Sequence, residues 1–169
     1  NISMNQMLVN LDIIVGQGNA GAIGLRHQAA EGSAIEDCTI DVTHGLAGVQ
    51  GGIGSGGGST NVTVIGGRVG LDFTGYLSGT QPAPTITGFT LRGQTEAAIR
   101  STSRQTLVAA GLKIIADRCA GPLIQVGTNV AANHGELTLV DSEVVFSGEA
   151  LARPQRVVVA SARGVYLHN

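Results

Sequence analysis

Apolar and polar positions alternate along this chain in short bursts, and each burst opens on a residue suited to a tight bend. The motif reads Asn10-Leu11-Asp12-Ile13, Asp37-Cys38-Thr39-Ile40, Asn61-Val62-Thr63-Val64 and Gly88-Phe89-Thr90-Leu91. It continues as Gly111-Leu112-Lys113-Ile114, Asp141-Ser142-Glu143-Val144 and Gly164-Val165-Tyr166-Leu167. Asn, Asp or Gly leads every copy, and these residues tolerate the left-handed backbone of a sharp turn. The apolar-x-apolar pair that follows has the period of a strand with one face inward. Successive copies start 27, 24, 27, 23, 30 and 23 residues apart.

Two further apolar stretches recur in fixed order. After the first pair come Ala22-Ile23-Gly24-Leu25, Leu46-Ala47-Gly48-Val49, Val69-Gly70-Leu71, Ala98-Ile99 and Leu123-Ile124-Gln125-Val126. Before it come Ala34-Ile35, Thr85-Ile86, Leu107-Val108 and Leu137-Thr138-Leu139. About three short strands per 23 to 30 residues is the signature of a β-solenoid. The pattern therefore predicts an all-β fold, a right-handed single-stranded parallel β-helix of about seven coils. Leu11, Cys38, Val62, Phe89, Leu112, Ser142 and Val165 are expected to stack as one inward ladder. Ile13, Ile40, Val64, Leu91, Ile114, Val144 and Leu167 are expected to form the next. Residues 1–169 read as a single domain and as part of a larger protein, because both ends fall inside the pattern.

Composition sharpens this picture. Hydrophobic residues are 43% and charged ones 13%, the reverse of a disordered chain. With three Phe, two Tyr and no Trp, the core has to be built from Val, Ile, Leu and Ala. Net charge is −2 and Lys113 is the only lysine, so neither nucleic acid nor an acidic membrane surface is an expected partner. No apolar run is long enough for a membrane helix. Cys38 and Cys119 lie about three coils apart in this register. At about 4.8 Å per coil that is too far for a disulfide.

Two glycine patterns, Gly16-x-Gly18-x-x-Gly21 and Gly52-x-Gly54-x-x-Gly57, match the dinucleotide fingerprint in spacing. The fingerprint needs a helix after its third glycine, which Gly24 and Gly32 would interrupt, so no nucleotide cofactor is expected. The glycine-rich stretch from Gly51 to Gly58 reads instead as a bend between coils. Polar chemistry gathers at Arg26-His27-Gln28 and Glu31, and in comparable stretches of later coils at His44, Gln50, Asp72, Gln94 and Glu96. Stacking brings such positions toward one face, where carboxylates can act on a glycosidic bond. Glu31 and Glu96 are the candidate catalytic pair. Arg26, His27, Gln28, His44, Gln50, Asp72, Gln94 and Tyr76 are the candidate sugar contacts. Tyr76 lies in the irregular segment Thr74–Pro84. His27 and His44 lack a third ligand at metal spacing, so no metal is expected.

Several segments resemble, in order, the β-1,3-glucanases of glycoside hydrolase family 55. They are Gly24-Leu-Arg-His-Gln28-Ala-Ala-Glu31-Gly-Ser33, then Gly54-Ser-Gly-Gly57 with Asn61-Val-Thr-Val, then Gly66-Gly67-x-x-Gly70-Leu. Thr85-Ile-Thr-Gly-Phe-Thr-Leu and Thr95-x-Ala-Ala-Ile99 follow, so the resemblance spans roughly residues 8 to 115. It implies a pectate-lyase-like β-helix forming the first of two packed halves, with the catalytic acid in the second half. It also implies an extracellular or periplasmic protein acting on a β-glucan-like polysaccharide, with Gln28 and Glu31 in the substrate cleft. The expected partners are thus a polysaccharide, a second β-helix half or a further copy of the chain. Two other readings fit the same repeat. One is a polysaccharide lyase, for which Arg26 and Arg68 are suited. The other is a non-catalytic structural or polysaccharide-binding solenoid of tailspike or adhesin type.

Overall fold

The computed structural model describes residues 3–53, 56–74, 83–103, 105–127 and 135–169. In chain order the first coil holds β1 (Met7–Val9), β2 (Asp12–Ile14) and β3 (Ile23–Ala29). The second holds β4 (Ala34–Asp41) and β5 (Ala47–Ile53), and the third β6 (Ser59–Ile65) and β7 (Val69–Phe73). The fourth holds β8 (Thr85–Thr87), β9 (Thr90–Arg92) and β10 (Ala97–Ser101). The fifth holds β11 (Leu107–Ala110), β12 (Lys113–Ala116) and β13 (Ile124–Val126). Then come β14 (Leu137–Val140), β15 (Glu143–Phe146), the single helical turn α1 (Gly148–Leu151), β16 (Val159–Ser161) and β17 (Val165–His168).

Every pairing between these strands is parallel and joins one coil to the next. One sheet has six strands in the order β16-β13-β10-β7-β5-β3. The other has 11 strands, in which the long β4 and β6 run through a corner that shorter strands of other coils turn. The architecture is a parallel β-solenoid of about five turns.

The inward ladder Ile13-Ile40-Val64-Leu91-Ile114-Val144 is present register step by register step. Its five steps are the five turns. Ile40, Val64 and Leu91 are wholly buried, and Cys38, Val62, Phe89 and Leu112 form the adjoining buried row. Leu11 does not join that row as the pattern predicts; it is 49% exposed, at the open end of the first coil.

The seventh copy does not continue the ladder either. Val165 pairs with Leu137 and Leu167 with Leu139, so β17 extends the column of β8, β11 and β14 instead of that of β15. The Leu137-Thr138-Leu139 and Val165-Tyr166-Leu167 triplets have the same alternation, and hydropathy alone cannot tell their faces apart. With the last copy displaced and the end coils incomplete, about five turns stand where the repeat count suggests about seven coils.

The bend residues behave as their chemistry requires. Asn10, Asp37, Asn61, Gly88, Gly111 and Asp141 have φ of 55°, 51°, 52°, 63°, 62° and 46°, one left-handed residue per coil at one corner. Asn61 Nδ2 donates to Asp37 Oδ1 at 2.7 Å, linking two such corners across coils. That bond engages the acceptor nitrogen of the Asn61-Val62-Thr63 glycosylation sequon. Asp141→Gly should keep or raise stability by about 0.5 kcal/mol, whereas Asp141→Val should lower it by about 1–2 kcal/mol in urea denaturation.

Both cysteines are buried and free. Gly21 is followed by β3 and not by a helix, so the first glycine fingerprint has no helix N-terminus to offer a pyrophosphate. No helix among the described residues is long and apolar enough to cross a membrane.

Candidate functional site

The six-stranded sheet carries the candidate surface. In five of its six strands an inward apolar residue is followed by a polar one; in β16 the residue after Val159 is Ala160. Leu25, Val49, Leu71, Ile99 and Ile124 align in register, with Val49, Leu71, Ile99 and Ile124 fully buried. Strand alternation then turns the following residues outward. They form the row Arg26, Gln50, Asp72, Arg100 and Gln125, again paired coil to coil. Arg26 is exposed and the other four are half-buried.

Hydrogen bonds tie this row together across coils. Gln50 Nε2 donates to Asp72 Oδ2 at 3.3 Å, and Asp72 Oδ1 accepts from the Thr74 amide at 3.1 Å and the Thr74 hydroxyl at 2.5 Å. Arg100 Nε donates to Gln125 Oε1 at 3.1 Å, and Gln125 Nε2 donates to the Pro122 carbonyl at 3.1 Å. Glu96 closes one edge. Its carboxylate takes Arg68 Nε on one oxygen and Arg100 Nη2, at 2.8 Å, on the other. The Glu96 amide donates to the Arg68 carbonyl, which places these two residues at one stacked corner. Arg26 has no ion-pair partner among the described residues.

The predicted site residues divide accordingly. Arg26, Gln50 and Asp72 come together in the row, with Glu96 at its edge. Gln28 lies beside them, exposed and in register with Gly52.

His27 does not join them. It sits between Arg26 and Gln28 in β3, so it faces inward, is 9% exposed, and has a buried Nδ1 without a partner. Burial holds its imidazole below the usual value of 6.5, against the opposing effect of a hydrogen bond with the Gln6 backbone. The unfolded chain therefore binds more protons than the folded one just below pH 6.5. Stability should rise with pH through that window, and His27→Leu should flatten the slope in denaturation curves at pH 5 and 7.5.

Gln94 is also inside. Its Nε2 donates to the carbonyls of Arg92, Gly66 and Val64 at 2.9, 3.1 and 3.3 Å, so it is a clamp on the corner backbone. His44 is exposed in the turn between β4 and β5, away from the row. Tyr76 lies outside the described residues.

Glu31 and Glu96 are not brought together. Glu31 is exposed just after β3 and Glu96 stands just before β10. They occupy opposite strand ends three coils apart, about 14 Å along the axis alone. Paired carboxyls of a glycosidase stand about 5–9.5 Å apart. The hydrogen bond from Arg68, aided by that from Arg100, holds the Glu96 carboxyl below the usual carboxylate range. A general acid needs the opposite shift.

Arg100 and Gln125 are the row members that the sequence reading omits. The available signal is their position, immediately after Ile99 and Ile124 in the same ladder that places Arg26, Gln50 and Asp72. Among the described residues no group of three or more His, Cys, Asp or Glu side chains is arranged to hold a metal ion. No protein-family model, no curated protein and no solved structure matches the chain.

Proposed function

We propose that the outward row Arg26-Gln50-Asp72-Arg100-Gln125 binds an extended polysaccharide, and that this chain is the binding wall of a carbohydrate-active β-solenoid with right-handed coils. The observation that carries this reading is the register, which sets five planar polar side chains in line, one per coil. The strand spacing of about 4.8 Å is close to the length of one sugar residue in an extended chain, so successive sugars would meet successive coils. Amide, guanidinium and carboxylate groups supply both donors and acceptors for ring hydroxyls. The Gln50–Asp72 and Arg100–Gln125 hydrogen bonds hold four of the five in place before a ligand arrives, which lowers the ordering cost of binding.

Binding suits this face better than cleavage does. Its Glu96 is kept ionised between two arginines. The glycoside hydrolase reading, in which the catalytic acid sits in a second half, places bond cleavage on groups outside the row and leaves the row as one wall of a cleft.

The test is affinity electrophoresis and calorimetry against soluble β-glucan and polyuronate chains. Binding to one of these chains is expected, and the double variant Arg26→Ala, Gln50→Ala should weaken it about tenfold, since each polar contact contributes about 0.5–1.5 kcal/mol. Both residues are at least partly exposed, so the variant should fold. Equal affinity of the variant and the parent would remove the row as the binding surface.

A further inference from the structure

Beside the Gln125 end of the row, the segment leaving β12 and the segment following α1 line a concave cavity of about 230 Å³. Its lining includes Cys119, Pro122, Phe146, Arg153, Gln155 and Arg156, and no Asp or Glu. Two arginines therefore line one concave surface, and no acidic residue lines it.

Arg153 Nε is buried and has no hydrogen-bond partner. Neither Arg153 nor Arg156 takes part in an ion pair among the described residues. Arg156 is braced, with Nη1 donating to the Leu151 carbonyl at 2.8 Å and its guanidinium 5.9 Å from the centre of the Phe146 ring. That brace leaves most of its five donors uncommitted.

A buried guanidinium donor without an acceptor is costly, and two unneutralised cations on one surface repel. An oxyanion removes both penalties, because guanidinium groups match carboxylate and phosphate oxygens in shape and charge. The cavity is several times the roughly 30 Å³ taken by one water in the liquid, so a ligand the size of a single sugar residue fits. Phe146, Pro122 and Val157 supply apolar walls. Burial pushes the Cys119 thiol above the usual range, which disfavours the thiolate that a nucleophile needs.

We propose that this cavity is a binding site for a small ligand bearing an oxyanion, a carboxylate or a phosphate, gripped by Arg153 and Arg156. The site adjoins the Gln125 end of the polysaccharide row, but no row residue lines it, and its test does not depend on that reading.

The experiment uses the full chain labelled with nitrogen-15. The Arg153 Nε–H signal is followed while inorganic phosphate, glucuronate or glucose is added. A saturable shift with phosphate or glucuronate is expected, and none with glucose. Saturation by phosphate alone assigns the oxyanion to a phosphate source, and saturation by glucuronate alone to a carboxylate. Arg153→Gln and Arg156→Gln should each weaken the bound anion about tenfold, the loss of one charge-assisted contact. Arg156 is exposed, so Arg156→Gln should melt like the parent and keeps the test valid even where Arg153→Gln disturbs the fold. No saturable shift with either anion, an equal response to glucose, or unchanged anion affinity in the folded Arg156→Gln variant would overturn the proposal.

Discussion

Replacing Gly48 with valine should cost the solenoid at least about 3 kcal/mol, the upper range for overpacking a filled core. A Cβ at Gly48 would lie 2.3 Å from Val64 Cγ1 and 2.7 Å from the Gly70 carbonyl oxygen. The first neighbour is a buried core side chain and the second is backbone of the next coil, so neither moves without breaking a stack. The same restriction repeats along the sheet. A Cβ at Gly24 would come within 2.6 Å of Ile40 Cγ2, and one at Gly70 within 2.6 Å of the Ala98 carbonyl. These glycines therefore let the polar sheet close against the Ile40-Val64 ladder. Gly16→Ala is the matched control, because a Cβ there meets nothing within 4 Å and the backbone is not left-handed. It should be neutral or gain about 0.4–1 kcal/mol. Urea denaturation of the three proteins measures both effects. A Gly48→Val protein as stable as the parent would mean that the sheets do not pack in this way.

Leu91→Ala should be the next most damaging change, at about 2–5 kcal/mol. Leu91 is wholly buried and stacks between Val64 and Ile114 at the middle of the solenoid. Shortening it leaves a void that both neighbouring coils would have to shift to fill. In a stack each coil contacts only the next, so damage at the middle separates the solenoid into two shorter pieces. Amide exchange should therefore quicken on both sides of β9. Leu11→Ala, at an exposed site in the first coil, should cost well under 1 kcal/mol by the same assay.

How much of this was readable in advance depends on which interaction fixes each residue. The inward ladder from Ile13 to Val144 was legible because burial imposes a period of two and the left-handed corner restricts the residue before it. The first five glycine, asparagine and aspartate bends, and Asp141, follow from that restriction. Gly164 has the right residue type but no left-handed backbone, and the strand after it joined another column.

Side-chain direction within the polar cluster was less legible. Arg26, His27 and Gln28 are equally polar in a list, yet consecutive strand residues cannot share a face, and His27 went inside. Gln94 was drawn into the corner by three backbone carbonyls that no local pattern announces. Arg100 and Gln125 are not marked by residue type; only the ladder step after Ile99 and Ile124 turns them outward. Pairing between Arg68, Glu96 and Arg100 depends on residues 28 and four positions apart meeting at one corner, which only the stacked register reveals.

The most direct test of the binding row is side-chain mapping by NMR with the oligosaccharide that binds. The amide groups of Gln50 and Gln125 and the guanidinium groups of Arg26 and Arg100 should shift together and saturate at one affinity, while Gln94, locked inside the corner, stays unchanged. Shifts confined to other surfaces, or a bound oligosaccharide that leaves Gln50 and Gln125 untouched, would contradict the account.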